Sequence, residues 1–200
     1  MRPKIGIIIL AAGRASRMGN EPKQLLKLRG KTLLRRAVEA ALRTELRTIV
    51  VLGAQHEACQ REIEDLPIKI AINEDWPTGI SSSLKKGISV SMEEELDGAI
   101  IMLCDQPRVT SETLLRLRDA FIGSKKPIAA CSYGSAIGAP ALFGRETFVE
   151  FATLQGDEGA KKLIAKDLTR ATIVNAPEAA FDIDTYQDFQ RLANEEVRDR

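Results

Sequence analysis

Short apolar runs rich in β-branched residues recur along the chain and alternate with longer amphipathic segments. Each run has the length of a strand buried on both faces, and the runs lie at Ile5 to Leu10, Thr48 to Leu52, Ile68 to Ile72, Ala99 to Leu103, Ile128 to Ala130 and Ala171 to Val174. Between them, apolar residues repeat at helical spacing, as at Leu33, Leu34, Ala37, Val38, Ala41, Leu42 and at Leu114, Leu117, Phe121. The alternation predicts an α/β fold with a mostly parallel sheet covered by helices on both sides.

The segment after the first predicted strand combines small residues with cations. It runs from Leu10 to Gly19 as LAAGRASRMG and is followed by Lys23. Glycines permit close approach of a ligand to the backbone, and cations can contact phosphates. The segment therefore predicts a loop that holds a triphosphate. The alternative is a strand-to-helix turn whose arginines contact no ligand.

Two better-known phosphate loops do not fit this segment. Gly13 and Gly19 are six positions apart, whereas a P-loop needs glycines five apart with Lys and Ser or Thr directly after the second. A dinucleotide fingerprint needs G-x-G-x-x-G, but Ala15 and Met18 stand where its second and third glycines belong. The loop belongs to neither class, and a nicotinamide-dependent oxidoreductase is disfavoured.

Length, charge and cysteine usage narrow the class of protein. The 200 residues, 44% of them hydrophobic, predict one domain over residues 1–200. The net charge of +1 gives no global attraction to nucleic acid or anionic membrane, so neither is an expected partner. The three cysteines have no C-x-x-C spacing, which argues against zinc and disulfides and fits a reducing cytoplasm. No apolar run approaches the roughly 18 residues of a membrane span.

A carboxylate follows the predicted strand Ala99 to Leu103. Asp105, in Cys104-Asp105-Gln106-Pro107, is expected at the carboxyl end of that strand, beside the opening loop. Magnesium is commonly held by one or two carboxylates together with substrate phosphates, so Asp105 is a candidate ligand. The alternative is an aspartate that stabilises the turn before Pro107.

A second carboxylate candidate lies near the end of the chain, after a predicted short final strand. In Phe181-Asp182-Ile183-Asp184-Thr185, alternation puts Asp182 and Asp184 on the same side, so either can reach the metal. The alternative is that Asp184 caps a terminal helix that starts near Thr185.

Taken in order, these segments resemble a known family. The chain reads LAAGRASRMGNEPKQLL at 10–26, then W-x-x-G-x-x-x-S-L from Trp76, C-D-Q-P from Cys104, G-x-P-x-L-F from Gly138, G-D-x-G-A from Gly156 and D-I-D-T from Asp182. This ordered set, spread over nearly the whole chain, resembles the MobA/MocA-like nucleotidyltransferases that cap molybdenum cofactor, and within them the molybdenum cofactor cytidylyltransferases.

The resemblance implies a Rossmann-like three-layer sandwich of the nucleotide-diphospho-sugar transferase type, with Mg²⁺ or Mn²⁺ as cofactor. Its implied donor is CTP, with GTP as the alternative, because Ala12 stands where guanylyltransferases of the family typically have glycine. The implied phosphate-contacting and metal residues are Arg17, Lys23, Asp105 and Asp184. The implied nucleotide site comprises Leu10, Ala11, Ala12, Gly13, Arg14, Lys23, Asn73, Gly79 and Ser83.

On the acceptor side, the resemblance implies a molybdopterin-type cofactor. It would be held near Gly138, Pro140, Gly156, Asp157 and Gly159. Ala139 departs from the family, which commonly has His or Asn at that position, so a polar contact to the acceptor is missing. Transient docking to a molybdenum hydroxylase or its maturation factor is also implied. Another phosphorylated acceptor, or a non-catalytic cofactor carrier, remains an alternative.

The implied reaction is consistent with the residues present. A terminal phosphate on the acceptor is anionic at neutral pH and can attack the α-phosphorus without a general base, so the single histidine, His56, needs no role. The reaction does require in-line positioning and neutralisation of charge on the leaving pyrophosphate. A metal on Asp105, together with Arg17 and Lys23, is expected to supply that neutralisation.

Overall fold

A computed structural model describes residues 3–14 and 22–198, with side chains described as far as residue 195. The strands in this part are β1 (Ile5–Ala11), β2 (Lys27–Leu28), β3 (Lys31–Thr32), β4 (Arg47–Leu52), β5 (Lys69–Ile72), β6 (Gly98–Leu103), β7 (Ile128–Tyr133), β8 (Ala136–Gly144) and β9 (Ala171–Asn175). Seven of them form one sheet in the order β5-β4-β1-β6-β8-β7-β9, and β2 pairs with β3 in a separate hairpin.

The sheet is mostly parallel, as predicted. Strand β1 pairs in parallel with β4 and β6, β4 with β5, and β7 with β9, while β8 is antiparallel to both of its neighbours. Each of the six predicted apolar runs forms a strand of this sheet. The pattern did not predict β8, which returns from β7 and inserts between β7 and β6. Because β8 is antiparallel to the other strands, it begins at the edge of the sheet where they end.

Helices cover both faces of the sheet. They are α1 (Leu33–Leu42), α2 (His56–Arg61), α3 (Ile80–Glu93), α4 (Ser111–Ser124), α5 (Lys161–Lys166) and α6 (Tyr186–Arg198). Short 3-10 helices lie at Lys23–Leu25, Trp76–Thr78, Arg145–Thr153, Leu168–Arg170 and Pro177–Ala180. Among the residues that the structure describes, no helix is long and apolar enough to cross a membrane.

The alternation of side chains along β1 builds two cores. Ile5, Ile7 and Ile9 face one layer, where they pack with apolar residues of α1, α2 and α4. Ile8 and Leu10 face the other layer, with residues of α3 and α5 and of the 3-10 helix at 145–153. Helix α3 approaches closely because it presents Gly87 to the sheet, where an added Cβ would lie 2.6 Å from Ile8 Cγ2. The result is the three-layer arrangement that the resemblance implied.

A third, smaller cluster holds the end of the chain against its beginning. Ile183 and Leu192, which lie before and within α6, pack with Leu26, Leu28 and Leu33 around the β2–β3 hairpin. This packing carries the segment 181–184 to the carboxyl edge of the sheet. Residues 181–184 themselves follow β9 and pair with no strand in the described part of the chain.

Candidate active site

A cavity of about 330 Å³ opens at the carboxyl ends of β1 and β6. Its size falls within the range of small-molecule sites. Most of the residues predicted to bind the nucleotide, phosphate and metal line it together, although they come from distant parts of the sequence. These are Leu10, Ala11, Ala12, Gly13, Arg14, Lys23, Gly79, Ser83 and Asp105. Arg17, the other predicted phosphate contact, lies outside the described residues.

Lys23 and Asp105 form an ion pair on the wall of this cavity. The 3-10 helix at 23–25 places Lys23 there, and Asp105 follows the end of β6. Their side chains are 21% and 12% exposed, and Lys23 Nζ donates a hydrogen bond to Asp105 Oδ2. Burial opposes the charge on Lys23, but the Asp105 carboxylate outweighs it, so the pKa of Lys23 is raised. Lys23 is therefore a fixed cation in the cavity.

The second oxygen of Asp105 is suited to a metal ion. Asp105 Oδ1 is buried and has no hydrogen-bond partner among the described residues. A buried, unpartnered carboxylate oxygen is costly unless a cation or donor meets it. Asp105 thus offers the hard oxygen ligand that Mg²⁺ and Mn²⁺ accept. The described residues contain no cluster of three or more His, Cys, Asp or Glu side chains that could hold a metal ion.

Asp184 lies on the other side of Lys23. Its Oδ1 is 3.6 Å from Lys23 Nζ, and the backbone N–H of Ile183 donates to the carbonyl of Asp105 at 3.0 Å. The helix-capping alternative for Asp184 is wrong, because Thr185 and Asp188 cap α6 through reciprocal hydrogen bonds. The carboxylate of Asp184 is 56% exposed and is not taken up by the helix terminus.

Asp182 differs electrostatically from Asp184. Desolvation and the neighbouring Asp105 carboxylate raise the pKa of Asp182 to about 6, and the nearby side chains of Gln106 and Lys23 oppose this rise. Cys104, next to Asp105, is fully enclosed, and burial raises the pKa of its thiol. A neutral, buried thiol is a packing group and not a nucleophile.

The segment from Asn73 to Ser83 forms the wall opposite β1. Asn73 is not part of the cavity surface; its Nδ2 donates to the hydroxyls of Ser82 and Ser83 at 2.9 Å each. Its Oδ1 accepts from the N–H of Asp75 at 3.1 Å. Asn73 therefore stabilises this wall through hydrogen bonds without lining the cavity, whereas Ser83 does line it.

Gly79 joins this wall to the segment that was predicted to hold the acceptor. With φ of 109°, it packs on Gly156, where an added Cβ would lie 2.3 Å from a backbone carbonyl. The N–H of Ser81 donates to the carbonyl of Gly156 at 3.0 Å. Asp157, predicted as an acceptor residue, lines the same cavity as the nucleotide loop. Gly159 lies further on, before α5, and does not line the cavity.

Gly138 and Pro140 lie at an irregularity in β8. The register with β7 shifts between Ala130 and Cys131, so residues 139 and 140 oppose no residue of β7. Gly138 accommodates the Tyr133 side chain, whose Oη would be 2.7 Å from an added Cβ. Neither Gly138 nor Pro140 lines the main cavity. They lie at the same edge of the sheet, beyond Asp105.

Two glutamines at the site were not predicted from the sequence. Gln24 Nε2 donates to the carbonyls of Ala11 and Gly13 at 3.2 and 2.6 Å. Gln106 Nε2 donates to the carbonyls of Ala139 and Ala179 at 3.2 and 3.1 Å. The sequence signal was their position, directly after Lys23 and Asp105.

A seven-stranded, mostly parallel sheet with a carboxylate and a lysine at a cavity beside its first strand defines the chain as a nucleotidyltransferase. Residues 7–172 match the profile of the MobA-like NTP transferase domain, and the chain belongs to that family. The family predicted from the ordered motifs is thus confirmed at this level.

Curated relatives cover almost the full length of the chain. Nicotine blue oxidoreductase of Paenarthrobacter nicotinovorans is 28% identical over 95% of this chain and 97% of its own. A molybdenum cofactor guanylyltransferase of Shewanella sp. strain ANA-3 is 24% identical over 98% of each chain. These names differ in reaction, so membership of the family does not by itself specify the acceptor.

Solved structures agree with the fold. The crystal structure of the Rv0371c homologue from Mycobacterium sp. strain JC1 is 30% identical, covers 100% of both chains and superposes with a TM-score of 0.84. Rv0371c of Mycobacterium tuberculosis H37Rv, crystallised in complex with manganese, is 30% identical over 96% of this chain and 98% of its own, with a TM-score of 0.75.

Proposed function

We propose that the protein transfers CMP from CTP to the terminal phosphate of a molybdopterin-type cofactor and releases pyrophosphate, with Mg²⁺ or Mn²⁺ as cofactor. The observation that carries the proposal is Asp105, whose Oδ1 is buried and unpartnered by the residues described while its Oδ2 is held by Lys23. This arrangement suits one metal contact and one phosphate-facing cation at the end of β1. The manganese complex of the Rv0371c relative supports a divalent ion.

In this proposal Asp105 and Asp184 would hold the metal ion, and the ion would neutralise charge on the triphosphate. The exposed residues Gly13 and Arg14 would face the phosphates, and Lys23 would stabilise the charge that develops on the leaving pyrophosphate. No described side chain needs to act as a general base, because the attacking phosphate is already anionic. Catalysis then comes from in-line positioning and charge neutralisation.

The choice of CTP over GTP rests on Ala12. It is 3% exposed, lines the cavity and lies close to Gly53, where an added Cβ would be 2.8 Å from Ala12 Cβ. Compared with glycine, its methyl group leaves less space in the cavity where a base would bind, and this favours a pyrimidine over a purine. GTP remains the competing donor, and the Shewanella guanylyltransferase supports it.

On the acceptor side, the segments around Gly138, Pro140 and Gly156 lie at the same edge of the sheet as Asp105 and would form the acceptor wall. Ala139 supplies no polar side chain to that wall. The product would pass to a molybdenum hydroxylase or its maturation factor by transient docking.

The experiment incubates purified protein with Mg²⁺, each of the four nucleoside triphosphates and molybdopterin with and without molybdenum, and follows pyrophosphate. CTP is expected to give the highest kcat/KM, with release dependent on the acceptor. Highest activity with GTP would overturn the base assignment alone. The absence of release with every triphosphate would overturn the proposed function.

A redox reaction is the second candidate, because nicotine blue oxidoreductase is a relative over almost the full chain. The loop after β1 lacks the dinucleotide fingerprint, which makes this candidate weaker. Oxidation of NADH or NADPH in the presence of nicotine blue, together with no pyrophosphate release, would favour it over nucleotidyl transfer.

A further inference from the structure

Two buried glutamines at the site make the same pattern of hydrogen bonds. Gln24 and Gln106 are 1% and 3% exposed. In both, Nε2 donates to two backbone carbonyls, which lie in one segment for Gln24 and in two segments for Gln106. Both Oε1 atoms are buried with no partner in the described ranges. Because carbonyl oxygens can only accept, each amide must present its nitrogen to them, and this fixes the orientation of both side chains.

Gln24 ties together the two ends of the nucleotide loop. The chain leaves β1 through Ala11 and Gly13 and returns in the 3-10 helix at 23–25. The two hydrogen bonds from Gln24 join that return to both exit residues. Gly13 and Lys23 line the cavity, so this amide helps to set the relative position of the backbone and the cation that would face the phosphates.

Gln106 ties together segments on the acceptor side. One of its carbonyl partners belongs to Ala139, within the irregularity of β8, and the other to Ala179, just before Asp182. Gln106 directly follows Asp105, which contacts Lys23. The same bonding pattern therefore occurs on both sides of the Lys23–Asp105 pair, with different segments tied in each case.

We propose that Gln24 and Gln106 are positioning residues that serve different substrates: Gln24 positions Gly13 relative to Lys23 for the triphosphate, and Gln106 positions the backbone around Ala139 for the phosphorylated acceptor. The proposal rests on the proposed function, since it names the two substrates of that reaction. Buried amides whose donors are both used hold backbone segments at fixed separation. Replacing either nitrogen with oxygen sets an acceptor against two carbonyls.

The test compares Gln24→Glu with Gln106→Glu, two isosteric changes at sites of equal burial. Calorimetric titration with CTP and GTP in Mg²⁺, without acceptor, measures the donor side alone. Gln24→Glu is expected to raise the triphosphate Kd about tenfold or more, from the loss of two hydrogen bonds, and Gln106→Glu to change it less than about twofold. In turnover, Gln106→Glu is expected to raise KM for molybdopterin about tenfold at unchanged KM for the triphosphate.

The pH dependence of triphosphate binding distinguishes two roles for Gln24, positioning through its hydrogen bonds and simple filling of space. At Gln24→Glu a protonated carboxyl regains one donor, and burial favours that form, so triphosphate binding is expected to recover between about pH 8 and pH 6. Gln24→Met fills similar volume but has no donor, and its deficit relative to the unchanged protein should not vary with pH. Recovery of both variants, or of neither, would overturn the role of the amide.

Folding and function are checked separately. Near-ultraviolet circular dichroism and thermal melts report the fold of each variant, and Gln24→Asn keeps the amide one methylene shorter if the glutamate variant does not fold. Equal weakening of triphosphate binding by Gln24→Glu and Gln106→Glu, or none from Gln24→Glu, overturns the division of roles. Failure of the unchanged protein to bind any triphosphate overturns the proposed function itself, which is a distinguishable result.

Discussion

Lys23 and Asp105 are in contact although they are 82 positions apart in the sequence. The contact depends on two independent features, the exit of β6 and the return of the loop after β1. The carbonyl of Asp105 also accepts a hydrogen bond from the backbone N–H of Ile183, so the same residue contacts two separate segments. The site is therefore sensitive to changes at this pair.

Asp105→Asn is expected to lower kcat/KM by about a thousandfold, because it removes the proposed metal contact and the charge. Lys23→Met is expected to raise KM for the triphosphate by roughly tenfold or more, through loss of a charge-assisted hydrogen bond. Steady-state kinetics with pyrophosphate detection measure both. Lys31→Met is the matched control, because Lys31 pairs with Glu39 on the surface at 2.6 Å. Activity in Asp105→Asn near that of the unchanged protein would exclude Asp105 from the metal site.

Ala12→Gly is expected to shift donor preference from CTP toward GTP by roughly tenfold in the ratio of kcat/KM values. The change removes one methyl group from the cavity wall, and a single methylene is worth about that much discrimination. Competition between the two triphosphates measures the ratio. Ala129→Gly is the control, since Ala129 is a buried strand alanine in β7 that does not line the cavity. A ratio unchanged by Ala12→Gly would separate Ala12 from base choice.

Gly79→Ala is expected to destabilise the protein by about 2–4 kcal/mol, because the new methyl group meets backbone atoms of Gly156 and φ is positive. The loss should appear in denaturant unfolding and in weaker nucleotide binding. Gly123→Ala in α4 is the control, since nothing lies within 4 Å of its added Cβ. It should be neutral or slightly stabilising. Equal stability of the two variants would contradict the close packing at Gly79.

The raised pKa of Asp182 predicts that the free energy of unfolding depends on pH. Its pKa of about 6 exceeds the ordinary value of 3.8, so the folded state binds the proton more tightly than the unfolded state. The Asp182 contribution to the free energy of unfolding therefore falls as pH rises from about 4 to about 6. Asp182→Asn removes that fall and should stabilise the metal-free protein above pH 6 by about 1 kcal/mol, after allowance for partial solvent screening.

Denaturant titrations of Asp182→Asn and the unchanged protein at several pH values measure this difference. Asp188→Asn is the control of opposite sign, because hydrogen bonds from Thr185 lower the pKa of Asp188. Its removal should destabilise the protein at neutral pH. A difference between Asp182→Asn and the unchanged protein that is independent of pH would contradict the perturbed titration.

The cysteines should be unreactive in the folded protein. Burial is the main cause that raises the pKa of Cys59 to about 11 and of Cys131 to about 12, and it raises that of Cys104 as well. A thiol-disulfide reagent at about pH 8 is expected to react slowly with native protein, because the thiolate is the attacking form. Denatured protein should titrate all three thiols. Rapid reaction of native protein would mean that one thiol is accessible.

The six parallel strands could be predicted because burial on both faces leaves an uninterrupted apolar run in the sequence. Strand β8 could not, because Gly138, Ala139 and Pro140 interrupt such a run. A strand that follows a hairpin turn and carries an irregularity need not be continuously apolar. Its residues were predicted only as a motif, without a secondary structure.

Site residues could be predicted where the role requires a particular residue type, either a charged side chain, as at Lys23 and Asp105, or a glycine, as at Gly79. The role of Asp184 could not be separated from capping until Thr185 and Asp188 were seen to cap α6. Gln24 and Gln106 were missed because their partners are backbone carbonyls, which any residue supplies. Such contacts leave no complementary residue type for a sequence to reveal.

The reversed direction of β8 has a consequence for how this enzyme could acquire new substrates. The two-residue turn between Tyr133 and Ala136 lies at the edge where Asp105 stands, and it connects only β7 and β8. Lengthening that turn would reshape the surface beyond the metal residue without altering the connections of β1, β4 and β6. Under the proposed function, a library of insertions at 134–135 is therefore expected to yield variants that keep their donor and accept other phosphorylated molecules.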